Sequence, residues 1–233
     1  MQILIILCST KSTPKSLPIS FSSPNSHYSR IGAISEAQDS PTGWSVTKRP
    51  LTYNMNELAS VTTYPSDQFP TTPFDYASDY FQSLANQHLT HLRTQRNIAD
   101  SIEIARSRFI ARSQFTQLIS EYCVNNAAFI LFCDDMRPAN MLVDPETLQI
   151  TALIDFEFTN AMPAQFTHDP PWWLLLSGPE FWLDRGLTDE FIACYEPRME
   201  QFLLALERVE ESLRLQGQYS GPALQPGCAS RGR

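Results

Sequence analysis

The chain has 233 residues, of which 42% are hydrophobic and 18% charged, proportions of a folded chain with a core rather than a disordered one. Its net charge of −8 argues against a surface for nucleic acid or anionic membrane, while leaving room for a local cationic pocket. Five scattered cysteines with no C-x-x-C pair suggest neither a disulfide framework nor a zinc site, and reduced thiols in the cytoplasm are the default.

Residues 1–30 read as a low-complexity, disordered segment. Residues 1–8 form a short apolar run with no basic flank, too short to span a bilayer. A strand, or a start unrelated to the domain, is the preferred reading of that run, with a signal peptide as the alternative. Residues 9–29 are rich in Ser and Pro, a linker composition. A hairpin is expected next: Ile31 to Ile34 and Trp44 to Val46 flank a turn at Asp39-Ser40-Pro41-Thr42-Gly43. Residues 65–73 make a Pro-rich connector.

Residues 74–94 predict a helix, with Ala77, Tyr80, Phe81, Leu84, Ala85, Leu89 and Leu92 on one face. Residues 97–122 predict a second, striped by Ile98, Ile102, Ala105, Phe109, Leu118 and Ile119. Both stripes are expected to be core. His88 and His91 stand three apart on the first helix, and with no third ligand nearby they do not argue for a metal site.

Residues 129–155 carry the chemistry. Asp135 precedes Asn140 by five positions, and Met141 to Val143 is apolar. Asp144-Pro145-Glu146-Thr147 reads as a turn. A second β-prone run, Ile150 to Ile154, ends at Asp155. Folding this hairpin brings Asn140 at its entry near Asp155 at its exit, with Asp135 on the preceding loop. The set suits phosphoryl transfer, which depends on positioning and charge neutralisation. A carboxylate such as Asp135 can orient a hydroxyl and take its proton. An amide oxygen and a carboxylate, Asn140 and Asp155, are suitable ligands for Mg2+. Arg137 adds a fixed cation near the phosphates or holds the loop in shape.

Residues 159–171 are polar and Pro-bearing, so a loop is expected. Pro170 and Pro171 suit the first turn of a following helix. Trp172-Trp173-Leu174-Leu175-Leu176 is apolar all round, which predicts deep burial; a stacking platform for substrate is the sharper alternative. Thr188 starts a helix that Pro197 breaks or restarts. Residues 198–215 continue with Met199, Phe202, Leu203, Leu206, Val209 and Leu213 on the inner stripe. Glu207, Arg208, Glu210 and Glu211 form the solvated face. Residues 216–233 read as a disordered tail.

Several of these stretches resemble one family. Cys133-Asp134-Asp135-Met136-Arg137-Pro138-Ala139-Asn140 is similar to an H/C-x-D-x-R-P-x-N catalytic loop. Ile154-Asp155-Phe156-Glu157-Phe158 is similar to an I-D-W-E-F metal-binding segment. Pro163-Ala164-Gln165-Phe166 and the Asp169-Pro170-Pro171-Trp172-Trp173 run follow in the same order, and Arg49-Pro50-Leu51-Thr52 matches a run near the hinge. Together they resemble the fungal branch of the aminoglycoside phosphotransferase (choline-kinase-like) family, within the protein-kinase-like superfamily. The resemblance implies a mainly α fold with small β-hairpins (α+β): a hinge hairpin over residues 31–53 and a kinase-like C-terminal lobe over 54–215. It carries over Asp135 as catalytic base and Asn140 and Asp155 as Mg2+ ligands, with ATP or GTP as phosphate donor and a small-molecule hydroxyl as acceptor. It also gives Asp169 a bracing role. The family's usual His is Cys133 here, which bears on loop rigidity more than on chemistry.

The family's N-terminal β lobe, with its phosphate-covering loop and strand Lys, has no counterpart in residues 1–30; Lys11 and Lys15 lie in Ser/Pro-rich surroundings. Two readings therefore stand. One is an active phosphotransferase. The other is a catalytically inactive remnant of the kinase fold that binds or scaffolds, its exposed lobe interface covered by a protein partner. Neither involves nucleic acid or membrane. The acceptor is not legible: Glu157, Asp169, Asp184 and Asp189 would suit a cationic one, but each also reads as a surface or capping residue.

Overall fold

Gly32 opens the first strand because no other residue fits there. Its φ is +157°, and a Cβ would lie 2.2 Å from the Lys48 carbonyl oxygen. This close approach joins β1 (Gly32–Glu36) to β2 (Trp44–Lys48), antiparallel, with a register shift between Ala33 and Ile34 of the kind a β-bulge produces. At the turn, Ser40 Oγ donates to the Trp44 carbonyl at 2.6 Å and Gly43 takes a φ of +74°. The expected hairpin is thus present.

The computed structural model describes residues 27–40, 43–95, 98–123, 125, 129–164, 166, 170–178, 181–182 and 185–217. The expectations for residues 1–26, for Asp169 and Asp184, and for the tail beyond Gly217 lie outside them. The fold is mixed α and β with small antiparallel sheets. It divides into two compact units, one of residues 26–135 and 156–164, the other of residues 136–155 and 165–233 together with 1–25.

In the first unit, β3 (Phe129–Cys133) and β6 (Thr159–Pro163) complete a four-stranded sheet of order β2-β1-β6-β3. β6 corrects the expectation of a loop over residues 159–171. Thr-Asn-Ala-Met-Pro has a weak strand signature, but it pairs on both sides, with β1 and β3, and tertiary pairing overrides local preference. Asn160, 1% exposed, replaces missing propensity with specific bonds. Its Oδ1 accepts from Leu51 N at 3.0 Å and its Nδ2 donates to the Leu51 carbonyl at 2.7 Å.

Three helices belong to the same unit: α1 (Tyr53–Val61), α2 (Ala77–Thr94) and α3 (Ile102–Tyr122). Thr52 caps α1 by accepting from Met55 N at 3.2 Å, and Ser101 caps α3 by accepting from Ile104 N at 3.2 Å, each satisfying a free N–H of the first turn. α2 begins after the expected residue 74, because Phe74 pairs through its backbone with Ile31 instead. α3 begins at its Ser101 cap rather than at residue 97. On α2, Ala77, Tyr80 and Ala85 are buried as expected. The α3 stripe is not core: Ile102 is 78% exposed, and Phe109 and Leu118 are also exposed, leaving Ile119 as its buried member. Ala105 of that stripe is half-buried, and the face turned inward otherwise carries Arg112, Phe115 and Thr116.

The second unit holds the β4 (Met141–Val143) and β5 (Ile150–Leu153) hairpin and α4 (Thr188–Leu215). α4 runs unbroken through Pro197, against the expected break. Pro197 and Ala193, whose carbonyl it leaves without a partner, both lie on the solvent side, where water can replace the missing bond and the helix can bend. Glu210 is 3% exposed rather than solvated; one turn on, Arg214 Nη2 donates to its Oε2 at 3.2 Å. The Trp172–Leu175 run is a single 3-10 turn in which Trp173, Leu174 and Leu175 are half-buried rather than deeply buried. It ends at Leu176, in a left-handed conformation with φ +60° and 80% exposed. Tyr195 of α4 braces this turn by donating to the Pro170 and Pro171 carbonyls, both at 3.2 Å. No described helix is long and apolar enough to cross a membrane.

Candidate functional site

In the sheet unit, β3 delivers Cys133, Asp134 and Asp135. Cys133 is buried, and burial pushes its thiol pKa up. Asp134 is structural: its backbone N donates to the Phe158 carbonyl at 3.2 Å, and its Oδ2 accepts from Tyr53 N at 2.8 Å. It therefore caps α1, tying the loop to that helix. Burial raises its pKa, the Tyr53 N–H pulls it back, and the neighbouring Asp135 charge adds to the rise. Asp135 itself is only 8% exposed.

In the hairpin unit, Pro138–Asn140 forms a 3-10 turn that begins directly after Arg137. Asn140 N donates to the Arg137 carbonyl at 2.9 Å, so Arg137 and Asn140 are the two ends of one turn. Asn140 is 6% exposed. Its carbonyl accepts from Ile154 N at 3.0 Å, extending the ladder in which Met141 faces Leu153. The entry and exit of the hairpin are thereby fixed together, with Asn140 opposite the residue before Asp155. At the far end Asp144 Oδ1 accepts from Glu146 N and Thr147 N, each at 2.9 Å, an Asx turn that sets the register.

Asp155 leaves the ladder with φ +61° and is exposed. A left-handed conformation costs a non-glycine residue roughly 1–2 kcal/mol, although Asp tolerates it better than most. Such strain tends to persist where a side chain must be aimed.

The structure thus brings Asn140 and Asp155 to the open end of one hairpin, with Arg137 one turn away. Asp135 belongs to the sheet unit and is held at the end of its β3. Two contacts around these residues were not legible in the sequence. Trp173 Nε1 donates to the Met136 carbonyl at 2.7 Å, anchoring the start of the loop; an indole N–H inside an apolar run is the signal that was available. Asp134 as a cap had no signal, because its partner Tyr53 lies 81 positions away. Among the described residues no group of three or more His, Cys, Asp or Glu could hold a metal ion. Asn140 and Asp155 carry an amide oxygen and a carboxylate, hard oxygen donors of the type Mg2+ accepts.

No protein-family model, curated protein or solved structure matches the chain.

Proposed function

We propose that this chain is a kinase-like phosphotransferase lobe that moves the γ-phosphate of ATP or GTP to a small-molecule hydroxyl. The observation that carries the reading is the conformation of Asp155. It is left-handed and exposed, at the exit of a hairpin whose entry residue, Asn140, is bonded through its backbone to Ile154. An exposed carboxylate held there, next in the chain to the residue bonded to Asn140, supports a metal-facing role.

In this reading Asn140 and Asp155 are the protein ligands of Mg2+. The metal, when bound, neutralises charge on the phosphates. The amide oxygen and the carboxylate are hard donors, and the second carries one negative charge, so the pair fits a metal–nucleotide rather than a bare ion held by protein alone. Asp135 orients the acceptor hydroxyl and takes its proton. Arg137 holds the turn and adds positive charge for the phosphates. Trp173 keeps this loop in place from beneath through Met136.

The test is a thermal shift of the purified chain with ATP and with GTP, with and without Mg2+, beside Asp155→Ala. A ligand that binds only the folded state raises apparent stability. The expected result is a Mg2+-dependent rise that Asp155→Ala abolishes. No rise at millimolar nucleotide would remove the phosphotransferase reading and leave a binding or scaffold role for the fold.

A further inference from the structure

We infer that the packed helices α2 and α3 bind a phosphate-type oxyanion through His88, His91, Arg108 and Arg112. These residues play no part in the nucleotide reading above. The two helices pack side by side, and the His88 ring stands edge-on to Phe115 with centroids 6.4 Å apart. That contact sets the histidine face of α2 against the α3 face bearing Arg112, one turn before Phe115. Arg112 acts electrostatically on both histidines, and Arg108 acts on His91 and on Arg112. The four groups therefore lie within electrostatic reach of one another.

The decisive feature is an unmet donor. Nη1 of Arg112 is buried and has no hydrogen-bond acceptor. Arg108 is already engaged, its Nη1 donating to the Ile98 carbonyl. No carboxylate is among the groups that shift either histidine or Arg112. In a chain with a net charge of −8 this is a local concentration of basic side chains. Burying a charged N–H without an acceptor is costly, and an anion supplies what is missing.

The chemistry of the ligand follows from the donors. Two guanidinium groups repel a metal cation, so the histidine pair is not a metal site. A guanidinium fork and two imidazoles are N–H donors that suit an oxyanion, and phosphate brings more acceptor oxygens and more charge than a carboxylate. Burial first, and Arg112 second, lower the pKa of both histidines, so both are neutral near pH 7 without ligand. A bound dianion favours their protonated forms, which makes the rings reporters of occupancy.

The test uses the full chain, whose four histidines give few imidazole resonances. Inorganic phosphate and glycerol 3-phosphate are titrated at constant ionic strength, with chloride as control, and imidazole protons are followed by NMR. Saturable movement of two imidazoles toward their protonated shifts is expected. Tighter binding of glycerol 3-phosphate by about tenfold assigns the site to a phosphomonoester, and equal binding assigns it to free phosphate. Arg112→Gln should weaken binding at least tenfold, while Arg106→Gln, on the exposed side of the same helix, should not. Should Arg112→Gln fail to fold, Arg112→Lys, which keeps the charge and loses the fork, must still weaken binding. Absence of saturable imidazole shifts, or wild-type affinity in a folded Arg112 variant, overturns the inference.

Discussion

The two hairpins of this protein are built for different ends. The β1–β2 hairpin is the edge of a four-stranded sheet; it needs a glycine for close approach and gains stability from its neighbours. The β4–β5 hairpin is a two-stranded sheet alone, and its Leu142 and Val143 are about half exposed. An isolated pair of strands is marginal in water, so local devices hold it: the Asp144 turn, the left-handed Leu148 and the Asn140–Ile154 bond. One hairpin is stabilised by pairing with a further strand, β6. The other is held by its turn and by the bond that ties Asn140 at its entry to Ile154 near its exit.

The largest expected effect of breaking that contrast lies in the first hairpin. Gly32→Ala places a Cβ against the Lys48 carbonyl and Val46 at a backbone angle that resists side chains. It should cost about 3 kcal/mol in urea unfolding of the sheet unit. Asn160→Ala removes both bonds to the Leu51 backbone and a third to the Phe158 carbonyl at 3.2 Å. A loss of about 2 kcal/mol is expected, because main-chain groups are left without partners. In the second hairpin the sign reverses. Asp155→Gly relieves left-handed strain and should raise stability by about 0.5–1 kcal/mol while eliminating Mg2+-dependent nucleotide binding. A loss of stability in that variant would show that Asp155 serves the fold.

The smallest effect is a pH dependence set by Asp134. Its folded pKa is raised by burial, so the unfolded chain releases this proton first. Between the unfolded value of about 4 and the raised folded value, the folded state binds more protons. Stability contributed by the group therefore falls as pH rises through that window and is level above it. Asp134→Asn, which can still accept from Tyr53 N, should flatten this part of the profile measured by denaturation across pH.

What the sequence disclosed follows the range of each interaction. Both hairpins were readable because turn residues lie next to the strands they join: Gly43 in one, Asp144 in the other. The α2 stripe was readable because its residues face a neighbouring core. The α3 stripe was misread because Ile102, Phe109 and Leu118 have helical spacing but the inward face is defined by packing, which chose Arg112 and Phe115. β6 was missed because its support comes from Leu51, over a hundred residues earlier, and from two strands it flanks in space. Pro197 misled because its effect depends on which side of the helix it occupies. At the candidate site, residue types and spacing pointed to Asn140 and Asp155. The left-handed turn at Asp155, the Trp173 anchor and the Asp134 cap are conformational facts that no local pattern encodes.

The most direct test of the central claim is a double-mutant cycle on Mg2+-dependent ATP binding, measured by calorimetry for wild type, Asn140→Ala, Asp155→Ala and the double variant. If the two ends of the hairpin hold one metal, each single substitution removes the Mg2+-dependent part of the affinity, and the double variant is no worse than either. Nucleotide binding indifferent to Mg2+ in the wild type, or losses that simply add, would contradict the account.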